Sequence, residues 1–124
     1  MTRVYVPATV RLLAGLAASG ELALGDDVVV PTGDAADSED TEYDALMTAA
    51  DTSAVWADEL DPGERRRVVV VAEVAGPDLP ASVSLSEVVA VHADAADVAG
   101  DLTDPDLLGD LCWYATQEIP DLLR

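Results

Sequence analysis

Apolar and polar positions alternate at the start of the chain, where Arg3-Val4-Tyr5-Val6 reads as a first strand and Pro7 closes it. The period then lengthens. Val10, Leu13, Leu16 and Ala17 share one face of a helix predicted over residues 10–19, with Thr9 as N-cap and Gly20 in the left-handed C-terminal position. Val28-Val29-Val30 predicts a short strand over residues 27–31, and the polar, acidic residues 34–40 predict an exposed loop. From Thr41 the spacing is helical again. Tyr43, Leu46, Met47, Ala50, Ala54 and Ala57 recur on one face, and Asp44, Asp51 and Asp58 lie on another, up to Asp61-Pro62-Gly63.

The second half begins with the clearest strand, residues 65–74. Its valine run is apolar on both faces, as in a central strand covered on both sides or an antiparallel strand at a dimer contact. After the turn at residues 76–80 a further strand is predicted over 87–93, then an acidic stretch over 94–110 with a short helix from Pro105 to Leu111 and Asp104 as its N-cap. Residues 111–118 read as a last strand, the alternative being a continuation of that helix, and Pro120 turns the chain again. The order β-α-β-α-β-β-α-β predicts an α+β fold: one four- or five-stranded mixed sheet with two or three helices packed against it, in a single domain over residues 1–124. Periodicity puts Val4, Val6, Leu13, Leu46, Ala50, Val69, Val71, Val89 and Val91 in the core.

Composition changes this picture in two ways. Half the residues are hydrophobic, but there is no Phe, so the core is built from Ala, Val and Leu with only Trp56, Trp113, Tyr5, Tyr43 and Tyr114 as large rings. The second change is electrostatic. Twenty-five acidic residues against six arginines give a net charge of −19, which disfavours nucleic acid and anionic membranes as partners. Spread over a surface of about 6,000 Å², the net charges lie roughly 18 Å apart, twice the Debye length of ~8 Å at physiological ionic strength. The acidity therefore has two readings, a solubilising surface or a docking face for a basic partner.

Cys112 is the single cysteine, so no intramolecular disulfide forms. The small apolar run at residues 12–19 is interrupted upstream by Tyr5, Pro7 and Arg11 and is too short to cross a bilayer. The expected location is the cytoplasm.

The familiar chemical signatures are absent: no Gly-rich phosphate loop, no nucleophile elbow, no paired His and no paired Cys. No metal and no cofactor is expected. A Cys112–His92 nucleophilic pair requires the two to meet across strands, and the plainer reading packs Cys112 as a small hydrophobe. Asp34, Asp37, Glu39 and Asp40, and Asp94, Asp97, Asp101, Asp104 and Asp106, form acidic clusters that lack the pattern of a calcium loop. Arg65-Arg66-Arg67 reads as partners for nearby carboxylates at the end of a strand.

Aromatic faces and hydrogen-bonding side chains coincide in two segments, residues 3–9 and 112–118. A candidate ligand site there would use Tyr5, Thr9, Trp113, Tyr114, Gln117 and Glu118, and the alternative is that Trp113 and Tyr114 fill the core in place of the missing Phe. These two segments, together with Glu42-Tyr43-Asp44-Ala45-Leu46 and Arg66-Arg67-Val68-Val69-Val70, resemble a family of short actinobacterial proteins known as a domain of unknown function. The resemblance implies a stand-alone domain and carries no activity, cofactor or catalytic residue, and residues 94–110 have no clear counterpart in it. The favoured function is a non-catalytic interaction domain that docks a partner protein or forms a homodimer. Its competitors are a small ligand-binding domain or enzyme using the six site residues, and a catalytically silent accessory fold.

Overall fold

In the computed structural model, which describes residues 2–31, 39–76 and 78–123, strand β1 (Thr2–Ala8) runs through Pro7 instead of ending at it. Position explains this. β1 is an edge strand of the sheet, and on its outer side Tyr5 exchanges two backbone hydrogen bonds with Val29, each 2.9 Å. Two residues on, the Pro7 nitrogen points to that same outer side, so no ladder bond within the sheet is lost. The strand expected over 27–31 reduces to this single bridge.

Helix α1 (Val10–Ser19) is capped as its sequence requires. Thr9 Oγ1 accepts from the Leu12 N–H at 3.2 Å, and Gly20, at φ +82°, donates its N–H to the Leu16 carbonyl. The chain then enters β2 (Glu21–Ala23), which pairs with β4 (Ser82–Ser84) as a separate antiparallel ribbon. Neither strand is long enough to show an alternating pattern in the sequence.

Helix α2 (Glu39–Asp58) begins inside the stretch read as an acidic loop; the rest of that stretch, residues 34–38, lies outside the described residues. Its buried stripe is Ala45, Ala49, Ala50, Ser53, Ala54 and Ala57, turned away from the expected one, so Tyr43 is 61 % exposed and Leu46 and Met47 are half-buried. Small side chains let the helix lie close to the sheet, and the bulkier ones move to its margin. Ser53 fixes the contact: its buried hydroxyl donates to the Ala8 carbonyl at 2.6 Å and accepts from the Val68 N–H at 2.8 Å.

The sheet has the order β1-β3-β5-β6, with β3 (Val68–Val74), β5 (Val88–Ala93) and β6 (Cys112–Tyr114), and every neighbouring pair is antiparallel. The expectation of a mixed sheet is corrected. Parallel neighbours need a crossover, usually a helix. Among the described residues no α-helix lies between β3 and β5 or between β5 and β6, and the two helices between β1 and β3 cover opposite faces. The valine run does form a central strand covered on both sides. Val68, Val70, Ala72 and Val74 pack with Leu13, Leu16, Leu22, Val83, Ile119 and Leu122, while Val69 and Val71 pack under α2 with Tyr5 and Ala90.

Seven of the nine expected core residues are buried; Leu46 is half-buried and Val89 is 40 % exposed. A β-bulge accounts for Val89. Val71 faces Ala90 but Ala72 faces Val88, so Val89 is the extra residue and has no partner across the ladder.

The expected last strand stops at Tyr114. Residues 116–118 form a 3₁₀ turn, in which a Glu118 carboxylate oxygen accepts from the Ala115 N–H at 3.0 Å, and α3 (Ile119–Leu122) then inserts Ile119 and Leu122 into the core. The helix expected from Pro105 is likewise a single 3₁₀ turn, Pro105–Leu107, with Asp104 accepting from the Asp106 N–H. Residues 94–110 are held mainly by Arg65 and Arg67. Arg67 and Asp94 form a buried two-pronged ion pair at 2.7 and 3.0 Å, and Arg67 also donates to the Gly109 carbonyl. Arg65 donates to the carbonyls of Val98 and Gly100 and pairs with Asp58; Arg66 donates to the Leu122 carbonyl. Leu102 is fully buried against Ala54 and Ala57. The acidic stretch is therefore a fastened part of the fold.

Candidate functional site

Side chains alternate across the sheet, so Arg3 and Tyr5 of β1, Val71 of β3, Ala90 and His92 of β5 and Trp113 of β6 all project toward the α2 side. The alanine stripe of α2 covers only part of this face. Over the rest, with Glu42, Tyr43 and Leu46 forming the helix wall, lies an open-sided groove of about 320 Å³. His92 sits directly opposite Trp113 in the β5–β6 ladder.

Three charged or titratable groups set the electrostatics. Arg3 spans two carboxylates, with Nη1 2.9 Å from Glu42 Oε1 and Nη2 2.8 Å from Glu73 Oε1; the bond to Glu73 is the main reason its pKa is raised. Burial pushes the Tyr5 hydroxyl up, with Glu42 adding to the effect and Arg3 opposing it. Burial lowers the His92 pKa below 6.5, which favours the neutral ring at neutral pH.

The six residues singled out in the sequence separate. Tyr5 and Trp113 both line the groove, from the two opposite edges of the sheet. Thr9 is buried and spent as the α1 cap, and Tyr114 projects to the other face and packs against the main core. Gln117 is exposed on the 3₁₀ turn and Glu118 caps that turn. The strand expected through residue 118 ends at Tyr114, so Gln117, which would have shared the face of Trp113, lies on the turn instead. Glu42, Tyr43, Val89 and His92 complete the groove instead. The pairing of His92 with Trp113 depends on strand register, and the exposure of Val89 depends on the bulge, neither of which leaves a local signal.

Cys112 lies opposite Ala93, on the face that carries Val91 and the main core, whereas His92 projects to the α2 side. The two therefore do not form a nucleophile–base pair. Among the described residues no three His, Cys, Asp or Glu side chains are placed to hold a metal ion, and no helix is long and apolar enough to cross a membrane.

These features define an α+β protein with a four-stranded antiparallel sheet, helices on both faces, a separate two-stranded ribbon and an aromatic groove beside its longest helix. No curated protein and no solved structure matches the chain. It belongs to DUF6912, a family of unknown function, whose profile matches residues 2–123 and so takes in the acidic stretch 94–110.

Proposed function

We propose that this chain acts as a single, acidic, non-catalytic protein-interaction domain in the cytoplasm of an actinobacterial host, with the groove beside α2 as its working face. The observation that carries the reading is the convergence of Tyr43, Val89 and Trp113, exposed by 61, 40 and 60 %, on that one groove. Clustered exposed apolar groups mark contact surfaces, and Trp and Tyr are the residues on which interface energy concentrates. The sheet edges favour a face over strand addition. Val29 and Pro7 close the outer side of β1, and β6 offers only three residues to a partner strand.

Charge selects the kind of partner. At −19 the chain favours a basic or neutral protein over nucleic acid or an anionic membrane, and two copies of it repel one another. The reading involves no metal and no cofactor. A ligand-binding role is supported by one observation, that Tyr5 and Trp113 line the same groove, whose volume is at the small end for a ligand site.

Affinity capture from the host with the wild-type chain and with Trp113→Ala and Tyr43→Ala separates the two. A protein retained by wild type and lost by both variants, at unchanged melting temperature, supports the interaction reading. A metabolite that raises the melting temperature of wild type but of neither variant would replace it with ligand binding.

A further inference from the structure

The groove beside α2 is one end of a longer trough. Its helix wall passes from Tyr43 through Met47 to Val55, and the facing wall runs in reverse order from Trp113 through Leu111 to Leu108. Three hollows of about 320, 160 and 430 Å³ follow one another along it. The first two share Tyr43 and Leu46, and the second and third adjoin where Gly109 follows Leu108. From Tyr43 to Val55 the helix wall is about 18 Å long. Of the seven large apolar side chains exposed among the described residues, Tyr43, Val55, Val89 and Trp113 line this one trough.

Its margins are acidic and not neutralised. Asp51 and Asp110 line the trough and Asp106 is exposed between Pro105 and Leu107; the side chains of all three are without a partner among the described residues. Arg67 reaches the middle hollow but is buried against Asp94, and the other four described arginines are in ion pairs as well. An apolar floor with acidic margins matches an apolar stripe with basic flanks. A helix suits it better than an extended segment. The backbone of α2 is bonded within the helix and no strand lies between residues 94 and 111, so a strand would find no ladder along the trough, whereas a helix satisfies its own backbone. A second copy of this chain does not fit, because its described α-helices carry Arg11 as their only basic residue.

We propose that the trough docks a basic amphipathic helix of a partner protein, with its apolar stripe between the α2 wall and Leu108 and its Lys or Arg flanks toward Asp51, Asp106 and Asp110. This rests on the interaction reading, adds the chemistry of the partner and extends the working face along α2 to Val55.

The test uses a peptide of about 14 residues, ~21 Å long as a helix, made of Leu, Ala and Lys with Leu at helical spacing. It is expected to bind by calorimetry and to gain helical circular dichroism on mixing. A scrambled peptide of the same composition should bind about fivefold more weakly or worse, and a version with Glu for Lys should not bind. Tyr43→Lys and Val55→Lys, at the two ends of the trough, should each weaken the Lys peptide by about tenfold. Leu12→Lys makes an equivalent change on α1, over the other face of the sheet, and should stay within about twofold. Asp51→Asn combined with Asp110→Asn should cost about fivefold, and the same change at exposed Asp26 and Asp27 under about twofold. Melting curves establish that each variant is folded.

Equal binding by the scrambled peptide, or equal losses from the two pairs of Asp→Asn changes, would reduce the effect to bulk charge and overturn the proposal. So would a loss confined to one end of the trough, no binding by the amphipathic peptide, or a dimer that forms without peptide and disappears in Val55→Lys. If the peptide fails while a host protein is still lost by Trp113→Ala and Tyr43→Ala, the helix inference fails and the interaction reading stands. If capture is also indifferent to those two changes, both fail.

Discussion

Ser53 is the only polar side chain that α2 buries among the described residues, and it joins the helix to the ends of two strands at once. Alanine fills nearly the same space but leaves the Ala8 carbonyl and the Val68 N–H without their partner. Ser53→Ala is therefore expected to cost about 2 kcal/mol or more, read by urea denaturation. Arg67 and Asp94 form a pair with higher stakes, because both are buried. Arg67→Met strands the carboxylate and should cost about 3–5 kcal/mol. Combining Arg67→Met with Asp94→Asn should recover part of that loss, since the new side-chain amide oxygen still accepts from the residue 67 N–H without carrying a charge. A full-sized loss in the double variant would mean that packing, not charge, dominates there. His92 gives a pH effect of known sign. Its folded pKa lies below 6.5, so between the two values the unfolded chain binds more protons. The ring's contribution to stability is complete above pH 6.5 and declines as pH falls from there through the folded value. An NMR titration of the ring should give a midpoint under 6.5, and His92→Gln should flatten the stability profile just below that pH.

At the scale of elements, α1 shows how local signals suffice when they agree. A Thr cap, an apolar face and a terminal Gly specify the helix before any tertiary contact. Gly20→Ala, at φ +82° with open space around it, is expected to cost about 1 kcal/mol from backbone strain alone, measurable as a lowered denaturation midpoint. The acidic stretch 94–110 is the opposite case. Its sequence resembles a solvated loop, yet arginines 27 or more residues earlier anchor it. Arg65→Gln removes the ion pair to Asp58 and a charged donor to Val98 and Gly100, so amide exchange over residues 97–103 should accelerate while β3 and β5 stay protected. Unchanged exchange would assign the anchoring to Leu102 instead.

For the whole molecule, two electrostatic effects oppose each other as salt is added. Screening weakens exposed ion pairs such as Arg11–Glu64 and Arg3–Glu42, but it also relieves the mutual repulsion behind a net charge of −19. Repulsion involves many more charges than the exposed pairs, so the melting temperature should rise between about 10 and 500 mM monovalent salt, as the Debye length falls from roughly 30 Å to under 5 Å. A flat curve would show the two effects in balance.

The elements with strong local periodicity were determined by the sequence itself: β1, α1, the existence of α2, the valine strand and most of the core. So was the charge. Tertiary structure decided the rest. Which stripe of α2 faces inward depended on how close a helix can approach this sheet, and that selected Ala45, Ala49 and Ser53 over Tyr43. Strand direction depended on how the connections cross the sheet, which left all four strands antiparallel. The groove depended on register. His92 meets Trp113, and Val89 turns outward, only because β5 pairs with β3 through a bulge and with β6 in one frame. A pattern of period two shows which residues share a face of a strand, but the neighbours of that face are fixed by hydrogen bonds between segments far apart in the chain.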